Sequence, residues 1–441
     1  MVRIAMIGAG SLVFTRRLFT DCLAVPELNC SCFSLMDINA ERLKYIDLAI
    51  RKVIERTKAK PQIEVTDDLA KAVKGADFVI CSIMQGGVQV FRREFDIPAK
   101  YGVKWNIGDS MGVAGIFRAL RTMPDMLKIA RAVEQHAPRA YLLNYTNPMS
   151  MLCRYLQRQT QVKLLGLCHS VQGTAEMLAK WLNLDLNELQ TLCAGINHQA
   201  WFLKLAHRGQ NMYPRLRELV SNDQDIWNEE RVRNEMFLQL GYYVTESSGH
   251  NSEYNPWFRK RDELLEKYCM HGTSWNPGVP NFLVDYHLNK AKTWKQELID
   301  AALGKDNFDL RRSHEYCSYI IEALVANRPF VFNANVPNKG LIGNLPTDCC
   351  VEVPVLSDGG GLHPQAVGDL PAELAVLDQI HVAIQEMAVE AAITGDREMI
   401  YHACLYDPFT AAVCSMQEIR QMVNELFDAQ REFLPQFTKP R

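Results

Sequence analysis

The sequence predicts an α/β protein whose first half forms a doubly wound parallel sheet and whose second half adds an α+β domain. In the first half, short apolar runs alternate with amphipathic stretches, which is typical of strand–helix–strand units. The predicted strands are residues 2–7, 32–36, 63–66, 78–83, 141–145 and 162–167. Helical patterns between them include residues 12–24, 40–55 and 117–135. We therefore expect a first domain over residues 1–195 and a second over residues 196–441.

The second half of the chain has a less regular pattern. Residues 240–285 are rich in aromatic, serine, asparagine and glycine residues, and long irregular segments are more often functional loops than spacers. The predicted elements are strands at residues 201–205, 331–336 and 350–356, and helices at residues 371–395 and 416–430. We interpret this half as an α+β domain.

The composition argues against nucleic-acid and membrane partners. The chain has a formal net charge of −3, and no run approaches the ~18 apolar residues of a transmembrane helix. The first residues, MVRIAMIGAGS, do not contain the long apolar region of a signal peptide. The 13 cysteines are odd in number, which favours free thiols over a disulfide framework. These observations predict a reduced, cytoplasmic protein.

A glycine-rich turn follows the first predicted strand. Gly8 allows the tight turn, and Gly10 lets the backbone approach a pyrophosphate at the start of the next helix, beside Ser11. The third glycine of this fingerprint is absent, because position 13 is Val13. Asp37 ends the second strand, where a carboxylate accepts ribose hydroxyls and favours NAD over NADP. The pattern predicts a Rossmann-like NAD site; the alternative is a plain turn, with Asp37 capping the following helix.

Two further motifs carry thiol and imidazole groups. Cys168 and His169 follow the strand at residues 162–167, and His198 lies one supersecondary unit later. A thiolate and an imidazole could hold one divalent ion, with substrate oxygens completing an open coordination shell. The alternative is that Cys168 is a small buried residue and His198 a satisfied polar one.

The sequence Asn-Tyr-Thr-Asn-Pro ends another predicted strand at residues 144–148. Open α/β sheets bind ligands at the carboxyl ends of their strands, and an asparagine there can bind a sugar hydroxyl or a ribose. A turn that precedes a helix starting near Pro148 is equally compatible. The motif therefore predicts either a ligand contact or a turn.

Taken together, these motifs resemble glycoside hydrolase family four, and within it the α-galactosidase (melibiase) group. The resemblance spans nearly the whole chain, and its most specific stretches are GLCHSVQGTAE at residues 166–176 and AGINH at residues 194–198. Other matching stretches lie at residues 7–11, 35–38, 115–122, 144–149, 244–257, 349–353 and 407–413. The resemblance implies a Rossmann-like first domain similar to that of lactate and malate dehydrogenases, and a second domain for substrate binding, catalysis and oligomerisation. It also implies hydrolysis of terminal α-galactosides.

The resemblance also implies an unusual, NAD- and divalent-metal-dependent mechanism. Hydride passes from C3 of the sugar to NAD⁺, a base removes the C2 proton, and the aglycone leaves by elimination across C1 and C2. Water then adds, and the hydride returns. The metal, usually manganese in this family, acts as a Lewis acid. Cys168 and His198 match the metal ligands, His169 matches the proton donor to the leaving group, and Asn147 matches a substrate contact.

The identity of the C2 base is less well defined by the resemblance. Other branches place a tyrosine or an aspartate in the segment that matches residues 242–248, which reads YYVTESS here. Glu246 is our leading candidate, with Tyr243 and Tyr254 as alternatives. A loop or capping role for Glu246 is the competing interpretation.

Three other functions compete with the α-galactosidase hypothesis. An α-galacturonidase of the same family would need a cation for the uronate, which Arg259 or Lys260 could supply. A 2-hydroxy acid dehydrogenase would share the dinucleotide site but would use no metal. A non-catalytic NAD-binding sensor would bind the cofactor without turnover. For each enzyme hypothesis we expect a small-molecule substrate, and the resemblance implies a homodimer or homotetramer.

Overall fold

The computed structural model describes residues 1–270 and 276–437. Residues 271–275, part of the predicted loop-rich segment, lie outside the described residues.

A parallel sheet forms the first part of the fold, as the apolar runs predict. Its six strands have the order β3-β2-β1-β4-β5-β6. All residues of β2 and β4 are buried, because helices cover both faces of a doubly wound sheet. The strand bounds are β1 Arg3–Ile7, β2 Cys32–Met36, β3 Gln62–Thr66, β4 Phe78–Cys81, β5 Tyr141–Asn144 and β6 Lys163–Gly166.

The same sheet continues into the second half of the chain. Beyond β6 its order is β11-β12-β7-β8-β10, all antiparallel, with β13 beside β12 and β9 beside β8. Asn335 of β11 lies opposite Gly166, and Glu352 of β12 lies opposite Gly195. The bounds are β7 Leu189–Ile196, β8 Gln199–His207, β9 Gln210–Asn211, β10 Tyr243–Val244, β11 Phe330–Pro337, β12 Cys350–Asp358 and β13 Gly361–Pro364. One hydrogen-bonded sheet therefore joins the two predicted domains, and the division at residue 195 remains a prediction.

Helices cover both faces of this sheet. In the first half they are α1 Leu12–Leu23, α2 Ala40–Glu55, α3 Leu69–Val73, α4 Gly87–Ala99, α5 Gly112–His136, α6 Met149–Gln159 and α7 Ser170–Leu182. Helix α5 starts five residues before the predicted position 117, because it begins with glycines that disfavour helix in a sequence-based reading. A Cβ on Gly115 would lie 2.6 Å from the Ser110 carbonyl carbon, so this glycine permits close packing of the preceding loop.

The remaining helices include several that the sequence pattern did not predict. Their bounds are α8 Tyr213–Asn222, α9 Gln224–Glu229, α10 Arg231–Leu240, α11 Ser248–Asn251, α12 Asp262–Leu264, α13 Phe282–Ala302, α14 Tyr316–Ala326, α15 Ala372–Thr394, α16 Arg397–Leu405, α17 Pro408–Val413 and α18 Met416–Ala429. Short 3-10 turns lie at Pro26–Leu28, Leu186–Glu188, Arg431–Phe433 and Pro435–Phe437, and a π-helical turn lies at Leu265–Cys269.

Helix α13 crosses back onto the first half of the chain, where it packs against α2 and α4. Its Trp294 ring lies 4.4 Å from the Arg42 guanidinium carbon, and its Leu298 joins the apolar core that also contains Ile46. The dinucleotide half of the molecule is therefore completed by a helix from the second half.

Two large apolar cores lie on opposite faces of the sheet. One contains Phe117 of α5 together with Ile384 of α15 and Leu426 of α18, so the C-terminal helices contribute to the interior. Within residues 1–270 and 276–437, no helix is long and apolar enough to cross a membrane. All 13 cysteines lie in these ranges, and each is a free thiol.

Candidate active site

The candidate site lies at the edge of the sheet where the parallel strands end. Residues 8–11 follow β1, Asp37 follows β2, Asn147 follows β5, and Cys168 follows β6. His198 occupies the turn between β7 and β8. Ligands of doubly wound folds bind at this edge, because the strand order reverses there and opens a crevice.

The turn after β1 is tight, and its two glycines leave no room for side chains. Gly8 has a φ of +83°, and a Cβ at this position would lie 2.0 Å from the Ser82 carbonyl oxygen. A Cβ on Gly10 would lie 2.6 Å from Asp37 Oδ2. Ser11 is the N-cap of α1, and its side chain makes no capping bond to the described residues, so the first amides of the helix remain available to an anion.

Asp37 is held beside this turn rather than used as a helix cap. Its Oδ2 accepts the Gly10 N–H at 2.7 Å, and its Oδ1 accepts the Asn39 N–H at 2.8 Å. The N-cap of α2 is Asn39, whose side chain accepts the Arg42 N–H. The capping alternative for Asp37 is therefore wrong, and its carboxylate lies partly exposed at the end of β2.

Cys168 and His198 are neighbours, as the metal-site hypothesis requires. The Sγ of Cys168 lies 3.2 Å from Nε2 of His198. Ligands held by one ion at bond lengths of about 2.3 Å for sulfur and 2.1 Å for nitrogen lie roughly 3–3.6 Å apart, so the pair fits a shared ion.

The electrostatics of the pair favour a thiolate at Cys168 and a protonated imidazole at His198. Burial raises the pKa of the Cys168 thiol, but the adjacent His198 outweighs burial and lowers that pKa to about 7. Burial lowers the pKa of His198, but Cys168 and then Glu246 outweigh it and raise that pKa to about 10. A thiolate is the form of cysteine that binds a metal, so this environment prepares Cys168 as a ligand.

The carboxylate of Glu246 lies next to the Cys168–His198 pair. Its Oε2 is 3.6 Å from His198 Nε2, and the ligand atoms of Cys168, His198 and Glu246 all lie within 4.8 Å of one another. Burial raises the pKa of Glu246, but nearby positive charge, led by that of His198, holds it below its ordinary value. His198 and Glu246 have φ values of +66° and +73°, a conformation that is uncommon outside glycine and often found at functional sites.

A second polar cluster, which the sequence analysis did not identify, adjoins the first. Asp109 Oδ2 accepts Nδ2–H of Asn147 at 3.1 Å, and its Oδ1 accepts the Ser110 hydroxyl at 2.6 Å. His250 Nε2 lies 3.6 Å from the same carboxylate. Burial raises the pKa of Asp109, but positive charges led by Arg118 hold it below its ordinary value. The resembling stretch at residues 244–257 contained the signal for His250; Asp109 follows no predicted strand.

The other predicted residues have different surroundings. His169 is half exposed, its Nε2 lies 2.6 Å from Oε2 of Glu315, and its ring stacks on Tyr145. Tyr254 is buried with its ring centroid 6.5 Å from that of His198. The hydroxyl of Tyr243 donates to Asn234 at 3.0 Å in a separate apolar core. Tyr243 therefore lies outside the cluster, because its side chain leaves the short strand β10 toward another core.

Two family models each match one part of the chain. The family model "Family 4 glycosyl hydrolase" matches residues 3–184, and "Family 4 glycosyl hydrolase C-terminal domain" matches residues 193–410. A two-part α/β fold of this kind, with its site at the strand ends, is typical of NAD-dependent enzymes. The chain belongs to glycosyl hydrolase family 4, as the sequence motifs predict.

Among curated relatives, an alpha-galactosidase of Bacillus subtilis is 38% identical over 99% of this chain and 100% of its own. An alpha-galactosidase of Rhizobium meliloti is 35% identical over 99% of this chain and 89% of its own. An alpha-galacturonidase of Thermoanaerobacter italicus is 28% identical over 98% and 97%. These identities confirm the predicted resemblance to the α-galactosidase group.

Solved structures confirm the predicted fold class. A 6-phospho-alpha-glucosidase from gut microorganisms, in complex with NAD and Mn²⁺, has a TM-score of 0.82 at 20% identity, covering 98% of this chain and 99% of that one. A 6-phospho-beta-glucosidase of Thermotoga maritima, with manganese, NAD⁺ and glucose-6-phosphate, has a TM-score of 0.79 at 20% identity over 98% and 99%.

Proposed function

We propose that the protein hydrolyses terminal α-galactosides of the melibiose type, with NAD and a divalent metal, Mn²⁺ by preference, as resident cofactors. The observation that carries this proposal is the 3.2 Å approach of Cys168 Sγ to His198 Nε2, at the sheet edge that also carries the glycine turn after β1. Two alpha-galactosidases more than 30% identical along the chain support the substrate class. Structures of the same fold with NAD and Mn²⁺ support the cofactors.

The chain's own residues divide into two binding sets. Gly8, Gly10 and Ser11 would hold the pyrophosphate of NAD at the start of α1, and Asp37 would accept the ribose hydroxyls. Cys168 and His198 would hold the metal. When bound, NAD would supply a reversible hydride acceptor for C3 of the sugar, and the metal a Lewis acid for the oxygens at C2 and C3.

The remaining residues orient the sugar and move protons. Asn147 would bind a sugar hydroxyl with its carbonyl Oδ1, a buried atom that has no partner among the described residues, while Asp109 orients its amide. Glu246 would take the C2 proton, since its carboxylate is held in the ionised form. His169 would donate a proton to the leaving oxygen, with its imidazole oriented by Glu315.

The competing α-galacturonidase function needs a free cation, and Arg259 already makes four hydrogen bonds to other groups. Its Nε and Nη2 donate to the Lys104 carbonyl at 3.1 and 2.8 Å, and its Nη1 donates to Ser252 and Gly278. Lys260 is exposed. Binding a uronate through Arg259 would break these buried bonds, which favours the uncharged galactoside.

One assay panel tests the proposed function and both enzyme rivals. With NAD⁺, Mn²⁺ and reductant, we expect turnover of an α-galactoside about 10- to 100-fold above that of the matching α-galacturonide, because a hydrogen bond to a charged group is worth ~1.5–3 kcal/mol. EDTA should abolish the activity, and Mn²⁺ should restore it. EDTA-resistant oxidation of a 2-hydroxy acid, without glycoside cleavage, would instead identify a dehydrogenase. NAD binding with no turnover of any substrate would identify a sensor.

The nucleotide preference gives a second prediction. Asp37→Ala is expected to weaken NAD⁺ binding ~10- to 100-fold, because a hydrogen bond to a charged acceptor is worth ~1.5–3 kcal/mol, and to reduce the preference for NAD⁺ over NADP⁺. Calorimetric titration with each dinucleotide measures both effects. Asp47→Ala, which removes an acid on α2 that pairs with Arg51, is the control and should bind as the unchanged protein does. Unaltered NAD⁺ affinity in Asp37→Ala would refute the ribose role.

The family resemblance also implies a homodimer or homotetramer, and this assembly remains a prediction.

A further inference from the structure

We propose that His250 and Glu253 form a positioning relay, which fixes the ring nitrogen that His198 offers to the metal and couples the metal site to the loop that carries Asp109. The inference rests on the proposed function, because it takes His198 as a metal ligand. We assign neither His250 nor Glu253 as a ligand of the metal or the substrate. Both act through His198 and the loop.

The relay is a continuous chain of buried hydrogen bonds. Nδ1 of His198 lies 2.9 Å from Nε2 of His250, and Nδ1 of His250 lies 2.8 Å from Oε2 of Glu253. The two imidazole rings meet at an interplanar angle of 73°, with centroids 4.8 Å apart. All three side chains are at least 95% buried, so water does not compete for these contacts.

The direction of the hydrogen bonds in the relay follows from Glu253, the acceptor at its end. Glu253 receives backbone N–H groups from Asn106, Ile107 and Gly108, which stabilise it as an acceptor. His250 therefore presents Nδ1–H to Glu253 and an unprotonated Nε2 to His198. His198 must then donate from Nδ1, so Nε2, 3.2 Å from Cys168 Sγ, is the nitrogen that gives up its proton when a metal binds. This is the ring nitrogen that the proposed metal site requires.

The carboxylate of Glu253 serves a second element at the same time. The loop at residues 106–108 leads directly to Asp109, which binds Asn147. Asp109 lies 3.6 Å from Nε2 of His250, beyond hydrogen-bond distance, so His198 is the nearer partner of that nitrogen. One carboxylate thus fixes the metal side of the crevice through His250 and the sugar side through the loop.

Two isosteric replacements of His250 separate this role from simple packing. Glutamine places its amide oxygen near the position of Nε2 and can still accept from His198. Asparagine places its amide near the position of Nδ1 and retains only the contact with Glu253. His381 supplies a matched control, because it is a buried histidine near Tyr254 whose Nε2 bonds the Tyr254 carbonyl at 2.9 Å, away from His198.

The test measures metal affinity without turnover. Metal-free full-length protein is titrated with Co²⁺, and the thiolate-to-cobalt absorption band of Cys168 reports occupancy. His250→Asn and His250→Ala are expected to bind Co²⁺ ~10- to 100-fold more weakly than the unchanged protein, the usual cost of losing a hydrogen-bond partner of a metal-binding histidine. His250→Gln should stay within about threefold, since it retains the acceptor. His381→Ala should bind Co²⁺ normally.

The comparison of glutamine with asparagine decides the question. Equal Co²⁺ affinity in His250→Gln and His250→Asn, with both proteins folded by circular dichroism, would overturn the relay. So would unchanged affinity in His250→Ala. If the unchanged protein shows no thiolate-to-cobalt band at all, the metal site fails, and the proposed function fails with it; a band that all variants share rejects the relay alone.

Discussion

Cys168→Ser and His198→Ala are each expected to lower kcat/KM for an α-galactoside by at least about 10³-fold, because a Lewis acid contributes several kcal/mol to the transition state. Serine has nearly the shape of cysteine but does not supply an anionic ligand near neutral pH. Alanine removes the only imidazole within hydrogen-bond distance of Cys168 Sγ in the described part of the chain. Steady-state assays over a range of Mn²⁺ concentrations measure the loss.

The control for these two variants is cofactor binding. Cys168 and His198 lie beside the crevice, while Gly8 and Gly10 shape the pyrophosphate turn, so NAD⁺ titration should give an almost unchanged Kd. Cys22→Ala, at a buried thiol in α1, should keep full activity. Normal turnover by Cys168→Ser at low Mn²⁺ would contradict the assignment of Cys168 as a metal ligand.

Glu246→Gln is expected to lower kcat ~10²- to 10⁴-fold, the usual contribution of a general base. The amide keeps the shape of the side chain but does not accept the C2 proton. The decisive readout is exchange of the C2 hydrogen with deuterated water during incomplete turnover. We expect exchange to vanish in Glu246→Gln while the affinity for Mn²⁺ changes little.

Tyr254→Phe tests the alternative base in the same experiment. Burial holds the pKa of Tyr254 well above its ordinary value, so its hydroxyl is a poor acceptor in the resting protein. Loss of exchange in Tyr254→Phe, with exchange retained in Glu246→Gln, would transfer the base role to the tyrosine. A large loss of Mn²⁺ affinity in Glu246→Gln would identify the carboxylate as a third ligand, which its place beside Cys168 and His198 permits.

Much of the fold was readable from the sequence because its parallel strands are buried on both faces. Strand β2 matches the predicted residues 32–36, β1 is one residue shorter at its start, and β6 is one residue shorter at each end. Helix α13 was missed, although it is 21 residues long. Only three of its residues are buried, so the sequence lacks the wide apolar stripe by which an amphipathic helix is predicted.

The candidate site was predictable where a strand end defines the position of a residue. Cys168 and Asn147 directly follow parallel strands, and such strands end at one edge. Asp109 and His250 were not predictable in this way, because their positions depend on contacts between distant loops. The spacing of His250 and Glu253 was visible in the sequence, but their partners, His198 and the loop at residues 106–108, were not.

The left-handed backbone at His198 and Glu246 bears on how this protein would respond to engineering. Each such residue costs on the order of 1 kcal/mol or more, which glycine would recover. Screening variants for heat tolerance alone would therefore reward replacements at the two positions where the proposed chemistry needs an imidazole and a carboxylate. Efforts to raise the thermal stability of the protein should therefore leave His198 and Glu246 unchanged and should substitute residues of the outer helices instead.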